Sequence, residues 1–319
     1  MVLDKKIRLK MSDLQFDENV SDIFLNKINV PLPMVGDYPV QETLDILRTG
    51  SVRSKGKRYN ILKYIKSVYA PVHIDDGGSG RGFLYPYRKE TYIDVLKEIS
   101  SYVDLIITYP DGEPDIMEEY ISYGANGFMV TNWKEEYQKI KNNYEVSISR
   151  SVVGNAYNKN FDGGFDGYVV PDGGLLDYDL LEKIKKDDRN FSGMPNLLCK
   201  TTCPYLDEHV LYLKENGRFD YTWDKYHSCP SNTKKSFFIP RPVLVKLLRE
   251  GYIDSVKLVG RNSYLEKNIS VLLYYIFGEA YPNIEKIYNH IVVNNNWMFS
   301  NMVSLNCKYD CLNCDRKCY

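Results

Sequence analysis

Asp104-Leu105-Ile106-Ile107-Thr108, an amphipathic segment from Met117 to Tyr123, and Gly127-Phe128-Met129-Val130 follow one another in the middle of a 319-residue chain, and their order decides the fold. Each apolar run is too short for a helix and is apolar at consecutive positions, the pattern of a strand covered on both faces. A strand, an amphipathic helix and another strand at this spacing make a βαβ unit with parallel strands. The alternation extends in both directions. Ala70 to Ile74 lies upstream, and Tyr144 to Ser149, Gly167 to Val170, Pro195 to Cys199, Ser236 to Ile239 and Ser255 to Val259 lie downstream. Amphipathic stretches at Tyr92 to Tyr102, Lys134 to Asn142, Leu176 to Lys186 and Arg241 to Glu250 separate them.

Eight such strands predict an α/β fold, a closed (β/α)8 TIM-like barrel, in which Ile7 to Met11 or Val30 to Val35 is a substitute for one of the eight. A doubly wound sheet is the alternative topology. No Gly/Ser-rich linker interrupts residues 70–280. The expected organisation is therefore an N-terminal extension with the first barrel elements over 1–60, the barrel over 61–290, and a Cys-rich tail over 291–319.

The composition is that of a globular protein, with 44% hydrophobic and 26% charged residues. Lys+Arg 41 against Asp+Glu 42 leaves a net charge of -1, so no global positive field exists to hold a phosphate backbone. A nucleic-acid partner would need a local basic patch, for which the Arg48 to Arg58 loop is the candidate. Apolar stretches such as Ile269 to Phe277 fall well short of the roughly 20 residues that span a bilayer. The first residues, MVLDKKIRLKM, lack the continuous apolar region of a signal peptide, and a cytoplasmic protein is expected.

All seven cysteines lie at or beyond residue 199. Their odd number and the lack of a signal sequence argue against a disulfide framework and for thiolates used as metal ligands. Cys307, Cys311, Cys314 and Cys318 follow the spacing C-x3-C-x2-C-x3-C, four soft ligands within reach of one ion or cluster. Both zinc and an iron–sulfur cluster suit such a set. Cys199 closes a predicted strand and Cys203 follows in CKTTCPYLDEH; both would project over the barrel mouth, where βα loops build active sites. Cys229, in WDKYHSCP, supplies a third ligand if the chain folds back. The competing reading is buried, unreactive cysteine.

Other polar positions carry paired readings. The segment Asp75 to Gly82 follows a strand and resembles an anion-cradling loop with Arg81 as clamp, or else a surface turn. Lys257 and Arg261 stand at or just beyond a strand end, as a carboxylate site or a structural salt bridge. His209 and His227 flank the cysteines and are candidate catalytic proton donors or metal ligands, or else structural histidines. No nucleophile elbow, zinc-protease helix, phosphate loop or dinucleotide fingerprint occurs.

At several of these residues the chain resembles the peptidase U32 family, the collagenase-like proteins. Phe237 to Leu244 and Gly251 to Arg261 are similar to its strand–helix–strand stretch ending in a D-S-x-K-I-E-G-R type strand. Tyr123 to Val130 resembles its G-A-D-G strand, Asn155 to Asn158 its Asn-containing turn, and Asn196 to Cys199 through Cys203-Pro204 to His209 its cysteine-bearing region. The resemblance covers roughly residues 100–280 and departs from the pattern at Leu206, where an Arg is often found. It implies a barrel carrying an oxygen-sensitive 4Fe-4S cluster, with Cys199, Cys203 and Cys229 as ligands. The last position would be filled by a tail cysteine or a non-protein ligand.

The resemblance further implies oxygen-independent hydroxylation of a small molecule or RNA base, with prephenate as co-substrate. Two 4Fe-4S centres are expected if the tail forms its own; zinc in the tail is the alternative. The competing functions are a U32-type peptidase, for which no nucleophile–base pair is visible, and a non-catalytic cluster-bearing partner of a paired U32-type subunit.

Overall fold

A computed structural model of the chain describes residues 18–33, 39–73, 78–79, 83–84, 88–109, 112–151, 161, 163–171, 174–176, 178–196, 239, 241–260 and 265–279. Eight parallel strands close into a barrel in chain order. They are β1 (Ile28–Pro31), β2 (Ile65–Pro71), β3 (Asp104–Thr108), β4 (Ala125–Val130), β5 (Ser147–Ser151), β6 (Gly167–Pro171), β7 (Asn190–Met194) and β8 (Ser255–Lys257). The helices on the outside are α1 (Pro39–Thr49), α2 (Lys89–Ile99), α3 (Pro114–Ser122), α4 (Glu136–Asn143), α5 (Tyr178–Ile184), α6 (Arg241–Arg249) and α7 (Leu265–Phe277). This is the expected (β/α)8 architecture, with parallel strands and crossover helices. No helix among the described residues is long and apolar enough to cross a membrane.

The membership of the ring differs from the sequence expectation at two places. Ile28–Pro31, which overlaps the substitute stretch Val30 to Val35, is a barrel strand; it pairs with β8 on one side and β2 on the other. Ser236 to Ile239 does not complete the ring. Ile239 lies outside any strand, residues 236–238 lie outside the described residues, and the barrel closes without them. β2 starts at Ile65, five residues before the expected Ala70, and the seventh strand, Asn190–Met194, shares no residue with the expected Pro195 to Cys199, of which Pro195 and Asn196 lie in a turn. Proline has no N–H to give the ladder, which ends the pairing there.

Alternation along each strand sends one set of side chains outward and one inward. Outward residues such as Val68, Leu105, Ile107, Phe128, Ile148, Phe191 and Val256 are buried against Leu44, Tyr92, Leu96, Met117, Tyr137, Leu181 and Leu244 of the helices. The odd-numbered strands β3, β5 and β7 are held at their starts by a repeated device. Leu105, Ile148 and Phe191 donate their backbone N–H groups to Asn126 Oδ1, Asp166 Oδ2 and Asp254 Oδ2 at 2.9, 2.8 and 2.7 Å. Each acceptor lies at or just before the next strand, so the side chain fixes the stagger between neighbours that barrel closure requires.

Helix ends are specified locally. Pro114 occupies the first turn of α3, where its missing N–H costs nothing. α6 ends at Gly251 with φ +72, and Tyr252 N–H bonds to Leu247 O at 2.9 Å, the hydrogen bond of a glycine-closed helix end. The buried Arg241 donates to Tyr275 O at 2.7 Å and Ile276 O at 2.8 Å, placing a cation on the last carbonyls of α7.

Candidate active site

The inward-facing side chains form two chemically distinct levels. At the lower level Asn29, Ser67, Ser192 and Ser255, from four different strands, make a hydrogen-bonded network. Ser67 Oγ donates to Asn29 Oδ1 at 2.7 Å, Asn29 Nδ2 donates to Ser255 Oγ at 3.1 Å and more weakly to Ser192 Oγ at 3.5 Å, and the two serine hydroxyls are 2.6 Å apart. Buried polar groups must be paired, and here they satisfy one another. Small side chains also let the strands approach. A Cβ at Gly127 would lie 2.4 Å from Ser147 Oγ, and one at Gly167 2.5 Å from Asn190 O.

Above this network lies a small apolar cluster of Tyr69, Met129, Val169 and Met194, with Ile106 and Val259 against it. Lys257 enters it from the end of β8. Its Nζ donates to Met129 Sδ at 2.8 Å and stands 4.5 Å from the Tyr69 ring centroid. The ammonium thus rests on a π-face and a soft sulfur inside the barrel, half-buried, at the carboxyl-terminal end where barrel enzymes react. Burial pushes the Tyr69 phenol well above its ordinary pKa, so it stays neutral and can donate a proton to a hydrogen bond at any physiological pH.

The two segments that leave the mouth beside Lys257 are tied together. The buried Asn196, just after β7, donates from Nδ2 to Val259 O at 2.7 Å and accepts from Val259 N–H at 2.8 Å on Oδ1. Farther on, Asn268 Nδ2 donates to Gly260 O at 3.0 Å; a Cβ at 260 would fall 1.9 Å from Asn268 Oδ1, so only glycine fits. Ile239 N–H returns to Pro195 O at 2.8 Å. The chain therefore departs after Asn196 and comes back at Ile239 at one point on the rim.

Cys199, Cys203, His209, His227 and Cys229 all belong to that single β7–α6 connection and lie outside the described residues. Arg261, one position beyond Gly260, and the tail cysteines Cys307, Cys311, Cys314 and Cys318 also lie outside them. So does Arg81, which sits in sequence between two short paired strands, Gly78–Ser79 and Phe83–Leu84. Lys257 is the one predicted site residue whose surroundings are defined. Among the described residues no three His, Cys, Asp or Glu side chains converge as metal ligands.

Tyr69, Met129 and Asn196 received no role from the sequence. Met129 read as core in an apolar run and Tyr69 stood just before one, and their partnership with a lysine far along the chain has no local signal. The basic Arg48 to Arg58 segment is also redrawn. Arg48 belongs to the last turn of α1, where it pairs with Glu98 at 2.6 Å and Asp45 at 2.9 Å. No protein-family model matches the chain, and a search of curated proteins gives no match.

Proposed function

We propose that the chain is a redox enzyme of the peptidase U32 type, with an iron–sulfur cluster held at the barrel mouth and an anionic substrate or co-substrate held beside it. The observation that carries this reading is the double hydrogen bond between Asn196 and Val259, which ties the root of the cysteine-bearing connection to the root of the Lys257–Arg261 segment. The donor set fits the group: Cys199, Cys203 and Cys229 are soft thiolates, kept reduced in the cytoplasmic setting expected for the chain. A bound 4Fe-4S cluster supplies one-electron chemistry.

The chain's own residues supply binding and exclusion of water. Lys257 presents a positive charge from an apolar floor, where a carboxylate is held more strongly than in water. Tyr69 and Met129 keep that ammonium at the axis of the barrel and close off the interior below it. Arg261 adds a planar guanidinium suited to two parallel hydrogen bonds with a carboxylate. Prephenate, a dicarboxylate, has the chemistry such a pair accepts, and oxygen-independent hydroxylation of a small molecule or RNA base is the reaction class. The tail cysteines hold a second metal centre.

Anaerobic purification with iron, sulfide and zinc assays and a visible spectrum tests this directly. The expected result is sulfide-bearing iron whose visible absorption falls in Cys199→Ala, Cys203→Ala and Cys229→Ala. Full retention of iron and sulfide in all three variants overturns the assignment.

A further inference from the structure

The connection between α1 and β2 is a β-hairpin at the amino-terminal end of the barrel, opposite the mouth. Ser51–Ser54 pairs antiparallel with Lys57–Asn60, with Ser51 opposite Asn60, Val52 opposite Tyr59, Arg53 opposite Arg58 and Ser54 opposite Lys57. Alternation divides these pairs between two faces. Val52 and Ser54 are buried, and Tyr59 packs against Phe277 and donates to Glu279 at 2.7 Å, so this face is fastened to the body. The other face carries Ser51, Arg53, Arg58 and Asn60; the last three are exposed.

Three features of the hairpin run against stability. Two arginines stand directly opposite one another, a like-charge pair that weakens an antiparallel ladder. Lys55 takes the left-handed conformation at φ 49, where Asn, Asp or Gly is the usual turn residue. Residues 51–60 contain four cations and no acid, and Lys57 reaches Glu279 only at 3.8 Å with its side chain 73% exposed. The concentration is local, because the whole chain carries a net charge of -1.

We infer that this outer face is a docking site for the phosphate backbone of a nucleic acid, separate from the mouth and independent of the chemistry proposed there. Arg53 and Arg58, at paired positions of the ladder, carry guanidiniums that match phosphate oxygens bidentately, while the Ser51 hydroxyl, which accepts from Arg58 Nε at 2.9 Å, and the Asn60 amide add the hydrogen bonds that accompany them. The face holds no apolar residue. A protein partner meets an apolar interface centre, and a lipid surface takes up apolar side chains; nucleic-acid contacts are polar and positive throughout.

Anisotropy of a fluorescein-labelled short RNA duplex with the full-length, anaerobically purified protein tests the site between roughly 50 and 200 mM salt. The wild type is expected to bind with a steep salt dependence. Arg53→Gln with Arg58→Gln should reduce the log–log slope by about two and weaken binding about tenfold or more at low salt, with an unchanged or higher Tm. Lys183→Gln with Lys186→Gln, an equal loss of charge near the end of α5, should leave binding as it was. No binding by wild type, or an equal loss in both double variants, overturns the proposal. Displacement by poly-glutamate at matched charge, or equal affinity for anionic vesicles, assigns the face to another partner and overturns it as well.

Discussion

Asn196 and Val259 exchange two hydrogen bonds, 2.7 Å from the amide nitrogen to the backbone oxygen and 2.8 Å from the backbone N–H to the amide oxygen, across the gap between the seventh and eighth barrel strands. An asparagine side chain here does what a further pair of ladder bonds would do, after Pro195 has ended the strand. It fixes the relative position of the two segments that run on to Cys199 and to Arg261.

Asn196→Ala removes both partners of the half-buried Val259 backbone N–H and carbonyl. Leaving those groups unpaired costs about 1–3 kcal/mol, measurable by urea denaturation as a lower midpoint with an unchanged m-value. Asn196→Asp keeps the acceptor for Val259 N–H but faces a carboxylate to Val259 O, so it should be destabilised at neutral pH and recover as the acid protonates. An Asn196→Ala variant as stable as wild type would show that the pair holds nothing.

Lys257→Met removes the ammonium above Tyr69 while keeping the volume. The lost cation–π contact, worth about 0.5–2 kcal/mol, is offset by removing a charge from a half-buried site, so the Tm should change little. Binding of prephenate or another dicarboxylate, read by calorimetry under anaerobic conditions, should weaken by about 1.5–3 kcal/mol, and Arg261→Lys should weaken it in the same direction. A falling Tm with unchanged ligand affinity would make Lys257 a structural cation.

Deleting residues 307–319 should remove about half the bound metal while leaving the visible spectrum of the mouth centre in place. Loss of all metal on deletion would mean that a tail cysteine completes the mouth site and that there is one centre, not two.

At the amino-terminal end, Arg189 forms a two-pronged pair with Asp187 at 2.8 and 2.6 Å, donates to Phe161 O and Tyr168 Oη, and lies over both their rings. The guanidinium holds the Asp187 carboxyl below its unfolded value of 3.8. A depressed acid stabilises the fold above that value and loses the contribution as pH falls through the lower folded pKa. Asp187→Asn should therefore be less stable than wild type at pH 7, by about 1 kcal/mol for a partly exposed pair, and the difference should be lost at acid pH, below the lowered folded pKa of the carboxyl. Equal stability at both pH values would show that the pair contributes nothing.

The sequence by itself determined the class of architecture, helices over a parallel sheet, while closure into a barrel rather than a doubly wound sheet was decided by the tertiary structure. Short apolar runs separated by amphipathic segments can bury both faces of a strand only in a parallel sheet covered by helices, and Asp104 to Thr108 with Gly127 to Val130 states that locally. Helix limits were legible for the same reason, as at Gly251, because caps and periodicity act within a turn or two. It also determined which residues have the chemistry to bind metal and anions, since thiolates and guanidiniums carry that wherever they fold. Only the tertiary structure decided which segment completes the ring. Ile28–Pro31 is short and has the polar Asn29 at its centre, so it reads poorly as a strand; its place is earned from Val256 on one side and Ile65 on the other, and Asn29 is paid for inward by three serines. The seat of Lys257 on Tyr69 and Met129 is likewise a matter of closure. Those three residues come from strands 8, 2 and 4, and a barrel brings their inward faces to one axis, a condition on the whole ring that no local pattern of residues contains.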